Sequence, residues 1–135
     1  MENKRIVVID DNPAMHSLVK CIVAFWSSEE YYQVEIFSAY DGIQGLQQVQ
    51  IVRPDIILLD FQMPRMDGAQ VAQALRTMGD TTPILAMTGT HQDDIPAAFL
   101  ANCNVCLVKP FGASLLCHHI DGLLQRTHEL VVSGK

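Results

Sequence analysis

Five short runs of apolar, mostly β-branched residues punctuate the chain: Ile6–Ile9, Val34–Phe37, Ile56–Leu59, Ile84–Met87 and Val105–Val108. Several are continuous rather than alternating, as in strands covered on both faces of a parallel sheet. After each run, apolar residues recur with a period near 3.6, the spacing of a helix with one buried face. The first helix follows Asp11-Asn12-Pro13, with an Asx cap candidate and a proline near the first turn, and carries Leu18, Val19, Ile22, Val23 and Phe25. The second opens near Asp41-Gly42, carries Ile43, Leu46, Val49 and Ile51, and ends before Pro54. The third follows Asp67-Gly68 with Val71, Ala72 and Leu75 and stops near Gly79. The fourth has a weaker pattern, Ile95, Ala98, Phe99 and Leu100 after the acidic pair Asp93-Asp94. The fifth follows Phe111-Gly112 and carries Leu115, Leu116, Ile120, Leu123 and Leu124.

Strand and helix thus alternate five times. Right-handed crossovers turn such an alternation into a doubly wound α/β fold, a five-stranded parallel sheet between two layers of helices. The length of 135 residues suits one domain with one core. Val131 to Lys135 reads as a short tail or the start of a linker.

Composition narrows the function. Nine Lys and Arg against fifteen Asp and Glu give a formal net charge of −6, which argues against general binding to nucleic-acid phosphates. No apolar run approaches the roughly 18 residues of a membrane helix. The first apolar run stops at two aspartates, which is a strand and not the core of a signal peptide. A cytoplasmic setting is therefore expected, with the four cysteines as thiols. Cys103 and Cys106 form one C-x-x-C, and His118 and His119 follow Cys117, but the spacing matches no common zinc pattern. Cys21, Cys106 and Cys117 lie in apolar stretches and are expected to behave as small buried hydrophobes.

The candidate chemistry lies where open α/β sheets keep it, at the carboxyl ends of the strands. The first strand ends in Asp10-Asp11, the third in Asp60, the fourth in Thr88 before Gly89, and the fifth in Lys109-Pro110. One at a time, such residues are ordinarily helix caps and turn residues. Together on one sheet edge they form a cluster. Clustered carboxylates raise one another's pKa, and a hard divalent cation with oxygen ligands relieves the repulsion. Mg2+ fits, because it takes one or two carboxylates and keeps room for waters or phosphate oxygens. A cation beside a lysine makes a pocket for a dianionic group, and a carboxylate within it is a nucleophile toward phosphorus. Thr88 and Lys109 would help neutralise the phosphoryl oxygens.

These residues carry a resemblance. Residues 4–128 are similar to the receiver domain of two-component response regulators. The strongest stretch is Arg53-Pro54-Asp55-Ile56-Ile57-Leu58-Leu59-Asp60-Phe61-Gln62-Met63-Pro64-Arg65-Met66-Asp67-Gly68, which resembles that family's phosphoacceptor strand and loop. Ile6 to Asn12 resembles its acidic pair, and Val108-Lys109-Pro110-Phe111 its lysine loop. The resemblance implies a CheY-like fold with strand order 2-1-3-4-5, a receiver domain over residues 1–128 and a tail or truncated linker over 129–135. It implies Asp60 as phosphoacceptor. It implies Mg2+ held by Asp10, Asp11, Asp60 and the backbone carbonyl of Gln62. Thr88 and Lys109 would contact phosphoryl oxygens. The implied partners are a sensor histidine kinase or phosphotransfer protein upstream and a protein target or fused output domain downstream, with phosphorylation-dependent homodimerisation open. Gln62 and Thr90 lie where the family tunes access of water to the phosphoryl group. His91, Gln92, Asn102 and His118 are expected as exposed contact residues near the fourth and fifth helices. One departure stands out: the family commonly has Tyr or Phe three residues before the lysine, and this chain has Cys106.

Three other readings compete. A receiver-fold interaction scaffold not controlled by phosphorylation would be favoured by a missing acid, hydroxyl or lysine, and none is missing. A phosphohydrolase of the haloacid dehalogenase type needs a second acid two residues after its nucleophile, where this chain has Gln62. A flavodoxin-like cofactor binder draws only on Thr88-Gly89-Thr90, and the acid cluster is a poor neighbour for a flavin phosphate.

Overall fold

The computed structural model describes residues 2–27, 32–89 and 94–132, with side chains through 125. Five strands, β1 (Glu2–Ile9), β2 (Tyr32–Ala39), β3 (Ile56–Asp60), β4 (Ile84–Thr88) and β5 (Val105–Val108), form one parallel sheet in the order β2-β1-β3-β4-β5. The helices are α1 (Pro13–Ser27), α2 (Gly42–Val52), α3 (Gly68–Thr77), α4 (Ala97–Asn102) and α5 (Ala113–Val132). This is the expected doubly wound α/β architecture, and α5 continues past residue 128 to Val132.

The continuous apolar runs resolve into two half-cores by strand alternation. Ile6, Val8, Ile56, Leu58, Leu85, Met87 and Leu107 pack with Val19 and Val23 of α1 and Leu116, Ile120, Leu123 and Leu124 of α5. Val7, Ile9, Ile57, Leu59, Ile84 and Ala86 pack instead with Val49 and Val52 of α2, Val71, Ala72 and Leu75 of α3, and Phe99 of α4.

Caps and breakers set the helix ends. Asp41 accepts from the Gln44 N–H at 2.8 Å to start α2. Arg53 closes it in the left-handed region at φ 52°, its N–H bonded to the Val49 carbonyl, just before Pro54. Asp67 and Gln70 exchange reciprocal bonds of 2.9 Å to open α3.

Several helical expectations are corrected. α4 begins at Ala97, not at the acidic pair, because Pro96 disfavours helical geometry at Ile95. Asp93 lies outside the described residues, as do Thr90, His91 and Gln92. Leu18, Phe25, Ile43, Ile51 and Leu115 belong to apolar stripes yet are exposed, Phe25 by 75% and Ile51 by 79%. Those stripes are wider than the sheet can cover. Cys21 is likewise exposed and Cys106 and Cys117 only half-buried, so the expected fully buried thiols are not found. Cys21 shares the uncovered flank of α1 with Leu18 and Phe25.

Candidate functional site

Strand register builds the site. Ile9 pairs with Leu59, which sets Asp10 beside Asp60 across adjacent strands. Asp10, Asp60 and Lys109 each continue the sequence parity of the α1/α5 face, whereas Thr88 continues that of the α2/α3 face. Two carboxylates and one ammonium from three strands therefore meet on one side of the sheet end.

The distances bear this out. Lys109 Nζ lies 3.2 Å from Asp10 Oδ2 and 3.2 Å from Asp60 Oδ1, bridging the two carboxylates. Carboxylate oxygens of Asp10, Asp11 and Asp60 all lie within 4.8 Å of one another. Asp10 and Asp60 are buried and Asp11 is exposed, so the cluster opens to solvent through Asp11. Thr88 is buried at the end of β4, and its carbonyl accepts from the Lys109 N–H. Gln62 is exposed on the loop after Asp60. Among the described residues, no other group of three or more His, Cys, Asp or Glu is arranged to hold a metal.

The electrostatics follow from the placement. Burial, and then the neighbouring charge of Asp10, push the Asp60 carboxyl up from 3.8 to about 6, with Lys109 and the Gln62 backbone N–H acting in the opposite sense. Burial alone would pull the Lys109 ammonium down, but the two carboxylates overcome it and raise it. One ammonium among three acids leaves net negative charge in a partly desolvated pocket. Oxygen donors of this number and hardness fit Mg2+.

Local chemistry holds the acids in position. Asp10 Oδ1 accepts from the Asn12 N–H at 2.8 Å, and Asn12 Oδ1 in turn accepts from the Ala14 N–H at 3.0 Å to cap α1. Asn12, rather than Asp11, is the cap, which leaves the Asp11 carboxylate for the pocket. Gly68 is forced by a close approach: a Cβ there would lie 2.4 Å from the Asp60 carbonyl oxygen and 2.8 Å from Phe61 Cα. Phe61, next to Asp60, packs its ring against the fully buried Phe99 of α4 at 5.0 Å between centroids.

Of the five residues expected at strand ends, Asp10, Asp11, Asp60 and Lys109 converge, while Thr88 lies buried at the end of β4 and meets Lys109 through its backbone carbonyl. The surrounding contact residues are less uniform. His118 is exposed, but Asn102 is half-buried and its carbonyl accepts two bonds from the Arg76 guanidinium, at 3.1 and 2.8 Å. Burial pushes the Cys103 thiol up to about 12 and raises Cys106 as well, so neither is a poised thiolate. One residue that pattern reading passed over is His16, 2% exposed, whose Nε2 lies 2.7 Å from the Asp10 carbonyl oxygen. A polar residue three and seven positions before Val19 and Val23, on the buried stripe of α1, was the available signal.

Comparison with known proteins agrees with this geometry. The chain is 36% identical over 124 residues, 91% of its length, to "Response regulator MprA" of Mycobacterium ulcerans, and 37% identical over 124 residues to the protein of that name from Mycobacterium leprae. It spans about half the length of these curated relatives. Among solved structures, chemotaxis protein CheY4 of Vibrio cholerae is 27% identical with a TM-score of 0.76, covering 90% of this chain and 98% of that one. A CheY-like receiver domain protein from Methanospirillum hungatei shares the fold at a TM-score of 0.81 and 22% identity, covering 95% and 98% of the two chains. The sequence profile of the response regulator receiver domain matches residues 6–121. With that match running from the first strand into the last helix, the chain belongs to the response regulator receiver domain family.

Proposed function

We propose that this receiver domain accepts a phosphoryl group on Asp60 from a phosphohistidine of a kinase or phosphotransfer protein, in a Mg2+-dependent reaction, and acts as a phosphorylation-controlled signalling switch. The observation that carries the reading is the bridge of Lys109 Nζ to Asp10 and Asp60, at 3.2 Å each, inside a cluster of three acids within 4.8 Å.

Each residue has a role. Asp60 Oδ attacks phosphorus as the N–P bond of the donor breaks, and the released imidazole takes up a proton. Above a pH of about 6 the Asp60 carboxyl is ionised and nucleophilic. Asp10, Asp11, Asp60 and the Gln62 carbonyl are the groups that would hold Mg2+. Bound there, it would supply neutralisation of the charge on the transferring phosphoryl oxygens. Lys109 Nζ gives up its contact with Asp60 Oδ1 to pair with a phosphoryl oxygen, and the Thr88 hydroxyl donates to another. Slow attack of water on phosphorus releases the carboxylate again. The new contacts at Thr88 and Lys109 bias β4, β5 and the helices beside them. Cys106 stands at the usual aromatic position, so the readout runs through other side chains of that face. The upstream partner, a downstream protein target or fused output domain, dimerisation on phosphorylation and a cytoplasmic setting belong to the same proposal.

The test is direct. Incubation with Mg2+ and a small phosphoryl donor adds the mass of one phosphoryl group, and Asp60→Asn abolishes the gain. No added mass in the unaltered protein would favour an interaction scaffold with the receiver fold.

A further inference from the structure

We propose that His16 is a positioning residue for the metal pocket: its imidazole fixes the peptide joining Asp10 to Asp11 and thereby the carboxylate of Asp11. This rests on the functional reading above, since it assigns His16 a role in the Mg2+ site.

The geometry leaves little freedom. His16 is 2% exposed on α1, packed between that helix and the sheet. Its Nε2 lies 2.7 Å from the Asp10 carbonyl oxygen and its Nδ1 2.9 Å from Ser38 Oγ on β2. A carbonyl oxygen only accepts, so Nε2 must carry a proton and donate. In the neutral ring Nδ1 is then the acceptor and takes the Ser38 hydroxyl proton. The ring face is covered by Tyr40, with 4.4 Å between centroids. Three contacts from the β1–α1 turn, β2 and the β2–α2 turn thus hold one ring in one orientation.

Asp10 is consequently held at every polar atom. Its N–H donates to the Ala39 carbonyl at 3.1 Å. Oδ1 accepts from Asn12 N–H at 2.8 Å and Oδ2 from Lys109 at 3.2 Å. The carbonyl is the remaining group, and His16 takes it. That carbonyl belongs to the Asp10–Asp11 peptide, whose plane sets the direction in which the Asp11 Cα–Cβ bond leaves the chain. Asp11 is the exposed member of the acid cluster, whereas Asp10 is buried. Metal sites depend on such outer partners because mispositioned ligands lose affinity.

Three variants of the full chain, titrated with Mg2+ by calorimetry, test the assignment. His16→Leu keeps bulk without a donor, and His16→Gln keeps an N–H donor near the Nε2 position. The leucine variant is expected to raise the Mg2+ dissociation constant roughly tenfold, the lower end of what losing an outer partner costs metal sites, with glutamine staying within about a factor of two. Equal affinities in the folded leucine variant and the unaltered protein overturn the role of His16, as does an equal loss with glutamine. Should leucine not fold, His16→Asn replaces it, because the shorter amide falls short of the carbonyl; equal affinities for Asn and Gln again overturn the role. Nitrogen NMR of the unaltered protein gives an independent reading: a protonated Nε2 is expected, and an unprotonated Nε2 rules the contact out. An unaltered protein that binds no Mg2+ overturns the functional reading along with this one, whereas normal binding with unaffected variants overturns this one alone.

Discussion

Replacing Asp60 by Asn should make the metal-free protein more stable while removing its proposed function. The reason is the position of Asp60, 4% exposed at the end of β3, beside Asp10 and with half a share of one ammonium. Its carboxyl is held at about 6 instead of 3.8. At 1.36 kcal/mol per pKa unit, that difference costs the ionised folded state about 3 kcal/mol above both values. Solvent at the open side of the pocket reduces this to about 2 kcal/mol. The sign fixes the pH window. Because the folded state holds the proton more tightly, stability is unpenalised below 3.8, falls as pH rises from there to about 6, and levels off above. Asn is neutral throughout and nearly the same shape, so the variant escapes the penalty. For a chain of 135 residues the gain corresponds to a rise in Tm of roughly 6–10 °C. Urea unfolding in EDTA at pH 7.5 and at pH 4.5 measures it. The advantage of the variant should be largest at pH 7.5, shrink toward pH 4.5, and shrink at pH 7.5 when Mg2+ is added to the unaltered protein. An advantage that does not change with pH, or none at all, would refute the account of Asp60 as a strained, undercompensated carboxylate.

Other consequences follow from the same geometry. Lys109→Ala removes the ammonium that opposes the upward shift, so the Asp60 carboxyl should titrate clearly above 6 in the metal-free protein; carbon NMR of that carboxyl, unchanged from the parent, would contradict the bridge. Gly68→Ala drives a Cβ to 2.4 Å from the Asp60 carbonyl oxygen and should destabilise by about 1–3 kcal/mol in denaturant, whereas Gly112→Ala, with nothing within 4 Å of its Cβ, should be near neutral. Phe99→Ala empties a fully buried site under Phe61 and should cost about 3–5 kcal/mol, read from the shift of the urea midpoint at constant slope.

The sheet was legible because its strands declare themselves. Runs such as Ile56–Leu59 are apolar on both faces only where helices cover both faces, and here both half-cores use them alternately. The acid and lysine positions were legible for a related reason: each polar residue interrupts an apolar run at its carboxyl end, and a parallel sheet gathers those ends along one edge. Strand order came from the family resemblance, since the runs themselves carry no pairing information. What pattern reading missed depends on contacts distant in sequence. His16 sits in an apolar stripe where the helix period assigns burial but names no partner, and its partner is a main-chain carbonyl. Gly68 looks like an ordinary turn residue until the Asp60 carbonyl is found against it. The exposure of Phe25 and Cys21 is invisible to periodicity, which gives the direction of a stripe and not the width of the surface that covers it. The short α4 was obscured by acidic residues that read as a start signal, when Pro96 sets the start.

The central claim is that Asp60, Thr88 and Lys109 close around one phosphoryl group beside a divalent ion held by the acids. A crystal structure grown with Mg2+ and beryllofluoride, a phosphoryl mimic, examines it most directly. The account predicts beryllofluoride bonded to an Asp60 carboxylate oxygen, with the Thr88 hydroxyl and Lys109 Nζ on its fluorines and the metal between it and Asp10 and Asp11. Beryllofluoride on another carboxylate, or Lys109 still bridging Asp10 and Asp60 with the mimic bound elsewhere, would contradict it.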